Sequence, residues 1–262
     1  MSKIGEQLRR LHSSAAPMGF GFAAVPAPRR QMLILVRVDV PTDGEDWKNI
    51  VTKADAIVAE ASARDAAVAA VSGQDKQGTV ICGLDVNAQR ELLQDALEGM
   101  DFVVIGGDGP LSVLRMKDRG LIVVTGPRTD ANELRAIGEL GADAVLLDAR
   151  TLDLRTVACA IECRRVRLSS GRPVILHVSQ PLDVVTLEVL WRAGVDGLLL
   201  DLSTGSEVLN AVRSAVGQAL FAARPGGAGA TAAIGAFFHG PVSDESHDAD
   251  EEDGDEDGEE DE

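Results

Sequence analysis

The segment Gly141-Ala-Asp-Ala-Val-Leu-Leu-Asp148 reads as a helix end, an acidic residue, a short apolar strand and a second acid. Three other segments align with it without gaps: Lys53-Ala-Asp-Ala-Ile-Val-Ala-Glu60, Gly99-Met-Asp-Phe-Val-Val-Ile-Gly106 and Gly194-Val-Asp-Gly-Leu-Leu-Leu-Asp201. Glycine closes the preceding helix in three of the four, as a left-handed C-terminal cap requires. Between these copies lie other Val-, Ile- and Leu-rich runs with a different entry: Gln77-Gly-Thr, Arg119-Gly-Leu and Gly171-Arg-Pro. The chain therefore repeats a two-strand unit four times. An open sheet offers no reason for that period. A closed barrel does, because alternate strands supply alternate layers of its interior.

With these copies as anchors, we place eight strands at Leu33–Val38, Ala56–Glu60, Thr79–Gly83, Phe102–Ile105, Leu121–Val124, Ala144–Leu147, Pro173–Val178 and Leu198–Leu200. Helical periodicity fills most intervals, as in Asn87–Gly99, Ala131–Leu140 and Leu182–Ala193. Continuous apolar strands alternating with helices mean parallel strands covered on their outer face. The expected fold is an α/β (β/α)8 (TIM) barrel, with a doubly wound open sheet as the runner-up. Strand two has a rival at Ala66–Ser72; the repeat favours Ala56–Glu60 and leaves the alanines of Ser62–Ala70 to a helix.

The barrel spans residues 31–222. Residues 1–30 read as a short helix, Ile4–His12, and a loop that together could plug the N-terminal mouth. Residues 223–243 are rich in Gly, Ala and Pro and read as a linker, with Phe237 and Phe238 available to dock on a surface. Residues 244–262 contain 14 acids in 19 positions and read as a disordered tail.

That tail accounts for most of the net charge of -17, since the body keeps 28 acidic residues against 25 basic ones. A near-neutral body without a basic stripe speaks against nucleic acid or an anionic membrane surface as partner. No apolar run of about 18 residues is present to span a bilayer, and Met1–Ser14 lacks the apolar core of a signal peptide. Cys82, Cys159 and Cys163 do not form a disulfide framework and fit a reducing, cytoplasmic setting. Cys159 and Cys163 lie one helical turn apart and read as core or surface thiols, not as zinc ligands.

A barrel of this kind carries its chemistry at the C-terminal ends of its strands. The repeat ends on Glu60, Gly106, Asp148 and Asp201, at equivalent heights. If the three acids point inward, they form a ring able to bind Mg2+ or another divalent metal. His177, near the end of strand seven, would add a nitrogen ligand or act as a general acid or base. The alternative is that these acids cap turns or pair with arginines, for which Arg37 and Arg150 are available. Asp39, Asp85 and Asp108 lie just past strand ends as further candidate bases. In Gly106-Gly-Asp-Gly-Pro110, Gly107 would let a ligand approach the backbone. Thr125-Gly-Pro-Arg128 could bring Arg128 to an anion, or form a plain turn. No lysine lies at a strand end, which disfavours Schiff-base chemistry.

Strand eight runs into Asp201-Leu-Ser-Thr-Gly-Ser206, whose Gly-Ser pair offers backbone N–H groups at a helix start. Together with Gly141–Asp148, this stretch resembles the phosphate-binding (β/α)8 barrels, the broad group containing the histidine- and tryptophan-biosynthesis barrels. The resemblance implies anion binding at Gly205 and Ser206. It departs from that group after strand seven, where Ser179-Gln-Pro-Leu-Asp183 replaces the usual glycine-rich loop. The expected activity is that of a lyase or isomerase on a small anionic metabolite, with a phosphorylated one among the candidates. His177, Asp148 and Asp201 would be catalytic, with Arg37, Gly107, Gly205 and Ser206 binding substrate. Glu60, Asp148 and Asp201 are the metal candidates. The alternative is a non-catalytic barrel that binds a ligand or a protein. Association of copies through the outer helices stays open.

Overall fold

The structure is a computed structural model that describes residues 2–12, 31–39, 44–74, 80–86, 97–202 and 206–222. The linker, the acidic tail, the loop at 13–30, Gly205 and most of the expected helix Asn87–Gly99 lie outside the described residues. Eight parallel strands close on themselves in sequence order: β1 (Leu33–Val38), β2 (Ala56–Ala59), β3 (Ile81–Asp85), β4 (Phe102–Ile105), β5 (Gly120–Thr125), β6 (Ala144–Leu147), β7 (Val174–Val178) and β8 (Val195–Asp201). The described helices are α1 (Lys3–His12), α2 (Gly44–Lys53), α3 (Arg64–Gln74), α4 (Ala131–Glu139), α5 (Val157–Ser170), α6 (Val184–Ala193) and α7 (Ser206–Gln218). The rival strand at 66–72 is part of α3. Between β4 and β5 the chain makes only a 3-10 segment, Leu111–Arg115.

Side chains alternate across each strand, and two apolar clusters follow. Outward residues such as Ile34, Val36, Val103, Val145 and Leu198 pack under the helices. Inward residues form a separate interior: Leu33, Leu35, Ala56, Val58, Ile81, Phe102, Val104, Ile122, Ala144, Leu146, Ile175 and Leu199. Volume is shared across that interior. The Phe102 ring occupies the space where a Cβ on Gly83 would sit, and Gly120 makes room for Ile4. Ile4 and Leu8 of α1 belong to the interior cluster and are fully buried, so α1 stoppers the N-terminal end.

The acid at the third position of each repeat has a structural task. Asp55 and Asp143 act alike. Asp55 accepts the Ile34 N–H at 2.8 Å and Asp143 accepts the Leu121 N–H at 3.1 Å, while their own N–H groups donate to the carbonyls of the same two residues. Asp196 accepts the Val174 N–H at 2.9 Å. Each carboxylate thus ties the start of an even strand to the odd strand before it. Asp101 differs, accepting the N–H groups of Lys3 and Ile4 at 3.1 and 3.0 Å, and so caps the N-terminus of α1. Asp55 and Asp196 also pair with Arg213 and Arg167. The repeated glycines Gly99, Gly141 and Gly194 do adopt positive φ, at 77°, 87° and 114°.

Two substitutions test this framework by chemical denaturation. Asp196→Ala, at a fully buried carboxylate, removes the ion pair to Arg167 and the acceptor of the Val174 N–H and should cost about 3 kcal/mol. Leu8→Ala should cost about 2–5 kcal/mol by leaving a cavity in the stopper.

Candidate functional site

Continuing the inward alternation beyond the apolar interior brings a layer of charge to the C-terminal end. Arg37, Asp85 and His177 come from odd strands, two or four positions beyond Leu35, Ile81 and Ile175. Glu60, Asp148 and Asp201 come from just past β2 and β6 and from the end of β8, each two positions beyond an interior residue. Pairing of Arg37 with Asp201 in the β1–β8 register sets their two side chains abreast. The remaining two strand ends contribute no charge to this layer: Gly106 follows β4, and Val124 with Gly126 stand at β5.

Arg37 is the hub of one half. Its guanidinium donates to Asp85, whose side chain is only 4% exposed, and lies 3.9 Å from both Glu60 and Asp201. Burial works against the charge on Arg37, but Asp85, Asp201 and Glu60 outweigh it and hold the group more firmly protonated. Burial pushes the Glu60 carboxyl above its ordinary range; Arg37 pulls it down, and Asp85, Asp39 and Asp201 add to the upward push.

His177 is the hub of the other half, at 2% exposure. Its Nε2 lies 2.8 Å from Asp201 Oδ2, and its Nδ1 lies 3.6 Å from Asp148 Oδ1, beyond hydrogen-bonding length. Burial pushes the Asp201 carboxyl up, yet the hydrogen bond from His177 and the charges of His177, Arg37 and Arg150 bring it below the usual range. Asp148 is clamped by Arg150, which reaches it through Nε at 2.9 Å, Nη2 at 2.6 Å and its backbone N at 3.3 Å. That clamp, working against burial, lowers the Asp148 carboxyl from 3.8 to about 2.

The structure therefore gathers His177, Asp148, Asp201, Glu60 and Arg37 at one end of the barrel, but in a different arrangement from the expected ring of acids. Other groups stand among the carboxylates: the Arg37 guanidinium between Glu60 and Asp201, the His177 ring between Asp148 and Asp201, and the Arg150 guanidinium on Asp148. Among the described residues no three His, Cys, Asp or Glu side chains are grouped to hold a metal ion. Arg37, expected to bind substrate, is instead engaged by three acids. Asp39 and Asp108 are exposed beyond their strand ends. Gly107 lies exposed in the turn after β4, with open space where a Cβ would point. Ser206 is the first residue of α7. Cys159 and Cys163 are fully buried, and burial pushes the Cys82 thiol up to about 11, so the cysteines are core thiols.

The expected strand three, Thr79–Gly83, leaves Asp85 outside it, because it starts two residues early. The observed pairing of Ala56 with Ile81 carries β3 on to Asp85 and turns its side chain inward. The usable signal is the register shared with Arg37 and His177 on the other odd strands. The loop after β5 holds another feature. Arg128 has φ 68°, the one positive φ on a non-glycine among the described residues. It occupies the third position of the Gly126-Pro127-Arg128-Thr129 turn, where glycine or asparagine is usual, at a cost of about 1–2 kcal/mol.

No known protein family and no curated protein sequence matches the chain. Solved structures do. The tryptophan synthase alpha subunit of Legionella pneumophila is similar at a TM-score of 0.57 and 12% identity, covering 83% of this chain and 99% of its own. Thiamine phosphate pyrophosphorylase from Pyrococcus furiosus gives a TM-score of 0.52 at 14% identity, covering 71% and 96%. Orotidine 5'-monophosphate decarboxylase from Methanocaldococcus jannaschii gives 0.51 at 10% identity, covering 71% and 99%.

The Arg37 pairing and the Arg150 clamp on Asp148 make separable predictions. Arg37→Met leaves Asp85 buried without its counter-ion and should destabilise by about 3–5 kcal/mol in a urea titration at neutral pH. The Asp148 carboxyl is depressed in the folded state, so its contribution is present above its unfolded value of 3.8 and is lost as pH falls towards about 2. Asp148→Asn should therefore lose less stability than the parent between pH 4 and pH 2, read from melting temperatures. The similarities to solved structures agree with the closed strand order: the chain is a (β/α)8 barrel.

Proposed function

We propose that this barrel is a proton-transfer enzyme, of lyase or isomerase type, acting on a small anionic metabolite. The observation that carries the reading is the buried His177 ring held between two carboxylates at the C-terminal end of the barrel. Asp201 accepts the proton on Nε2 and fixes the tautomer and the ring plane, which leaves Nδ1 as the basic nitrogen. Asp148 lies 3.6 Å from Nδ1 and is clamped by the more exposed Arg150. An anionic substrate competes with Asp148 for Arg150 and so opens a path from the substrate to Nδ1. His177 then removes a proton from the substrate carbon and returns it to the neighbouring position or to a leaving group. Arg37 does not touch substrate in this scheme; it keeps Asp85, Glu60 and Asp201 together close to the base. A divalent ion on Asp148, Asp201 and Glu60 would have to displace Arg37 and Arg150 from those acids, so this scheme moves the proton through His177 alone. The solved structures similar to this chain bear the names of enzymes, which fits a catalytic barrel but reaches this chain only through the fold. The reducing cytoplasm is the proposed setting, in keeping with three free buried cysteines; no described helix is long and apolar enough to cross a membrane.

Hydrogen exchange in D2O tests the reading before the reaction itself is identified. Sugar phosphates, keto acids and hydroxy acids are incubated with the protein, and loss of a C–H signal is followed by NMR. The expected result is exchange at one carbon of one compound, reduced about 100-fold or more in His177→Asn and weakened in Asp201→Asn. Binding of a compound with no exchange at any carbon would instead make the barrel a ligand-binding module. The same exchange run with added Mg2+, Mn2+ or Zn2+ shows whether a divalent ion takes part.

A further inference from the structure

The charge at the mouth poses a problem for an anionic substrate. Four acids, Glu60, Asp85, Asp148 and Asp201, face two arginines and one histidine there. An anion placed over β1, β2, β3 or β8 would meet net negative charge. The ends of β4 and β5 are different, carrying Gly106, Val124 and Gly126 and no acidic side chain in the layer where the other strands carry theirs. The nearest acids along the chain lie further out: Asp108 is exposed in the turn after β4, and Asp130 is occupied in capping α4 through the Asn132 N–H at 2.8 Å. A Cβ built on Gly126 meets nothing within 4 Å, so the space beside this strand end is open.

The turn that follows β5 is built with unusual redundancy. The Arg128 N–H donates to Glu162 Oε1 at 2.7 Å. Arg165 locks that carboxylate through Nε at 3.0 Å and Nη2 at 2.6 Å, and its Nη1 donates to the Thr129 carbonyl at 2.5 Å. The Thr129 hydroxyl donates to the Gly126 carbonyl at 2.9 Å and lies 2.7 Å from the Thr125 hydroxyl. All of this fixes a left-handed backbone at an exposed arginine where a glycine would sit without strain. Strain that the surroundings over-determine, at the functional end of a fold, points to a use for that side chain. The next strand end carries Arg150: β5 and β6 are paired, and the Asp148 N–H donates to the Thr125 carbonyl at 2.9 Å. Arg128 and Arg150 thus stand on adjacent loops, both exposed: Arg128 after β5, whose end carries no acid in that layer, and Arg150 two residues past Asp148, with which it pairs.

Resting on the proton-transfer reading above, we infer that Arg128 and Arg150 form the anion grip of this barrel, holding the phosphate or carboxylate of the substrate at the β5–β6 edge. Two guanidinium forks suit the oxygens of either group. This places the anion after β5 and β6, not at Ser206, where α7 begins. Arg150 leaves Asp148 for the substrate, and Arg128 supplies the second contact.

The test uses the full chain, with inorganic phosphate and malonate as probes and calorimetry as the readout. Both anions are offered because either oxygen group would fit; the tighter one names the substrate's group. Arg128→Gly should weaken binding of the preferred probe about tenfold or more and leave the melting temperature unchanged or raised, because glycine relieves the left-handed strain. Arg150→Gln should weaken binding similarly. Arg128→Asn, which also tolerates positive φ, should behave as Arg128→Gly does. Arg135→Gln, an exposed change on α4, controls for general loss of charge and should bind as the parent does. Unaltered affinity in Arg128→Gly, loss of binding in Ser206→Ala instead, or no binding of either anion by the parent chain would each overturn the grip. Failure of the proton-transfer reading is separate: it appears as the absence of His177-dependent exchange, which the anion titrations do not measure.

Discussion

The pairing of Arg37 with Asp85, in reach of Glu60 and Asp201, is the interaction on which the charged end of this barrel depends. A carboxylate as buried as Asp85 is too costly to keep ionised without a partner. Three acids around one point would repel each other. A single guanidinium with several donors answers all three. It lets β1, β2, β3 and β8 end in charge without opening the barrel to water. Asp201 is shared between this hub and His177, so the two halves of the site are joined through one side chain.

The opposite end obeys a different logic. There the acids of the repeat serve the backbone, in three copies closing the ladder between an even strand and its predecessor and in the fourth holding α1 in place. The same fourfold unit thus carries two kinds of carboxylate. The acid before each strand is structural and faces backbone N–H groups. The acid after it, in three copies, faces the interior of the mouth. Between them lies an apolar interior stoppered by Ile4 and Leu8. That division closes the N-terminal end with apolar packing and backbone hydrogen bonds and leaves arginine–carboxylate pairs at the C-terminal end. Arg150, the most exposed partner in that network, is the side chain best placed to change hands.

The proposed base and the proposed grip complement each other. His177 lies deep in the mouth, while Arg128 and Arg150 lie on its rim at the edge where the inner layer of acids is interrupted. A substrate held by its anion there would extend over the mouth with its reacting carbon towards the ring. Nothing in that arrangement needs the loop after β7, the place where the sequence departs most plainly from the barrels it resembles.

Much of the fold is legible in the chain itself, because local chemistry dictates it. The ungapped repeat, the alternation of apolar strands and helices, and the glycines that end helices in the left-handed conformation all follow from residues near one another in sequence. They yield the barrel, its even strands, the stopper helix and the strand-end positions of Glu60, Asp148, His177 and Asp201. The repeated Asp before each even strand is visible as a pattern but not as a purpose, since its partner N–H groups belong to the preceding odd strand in three copies and to the distant α1 in the fourth. The site's electrostatics also lie beyond the sequence. Whether three strand-end acids face an ion or are neutralised by arginines depends on register across non-adjacent strands. Arg37 meets Asp201 only because β1 pairs with β8 and closes the barrel, and Asp85 turns inward only because Ile81 pairs with Ala56. Residue order is enough to say which side chains stand at the mouth. Apart from the local Arg150–Asp148 pair, which charges meet there is settled by strand pairing, because a one-residue change of register turns every side chain to the other face.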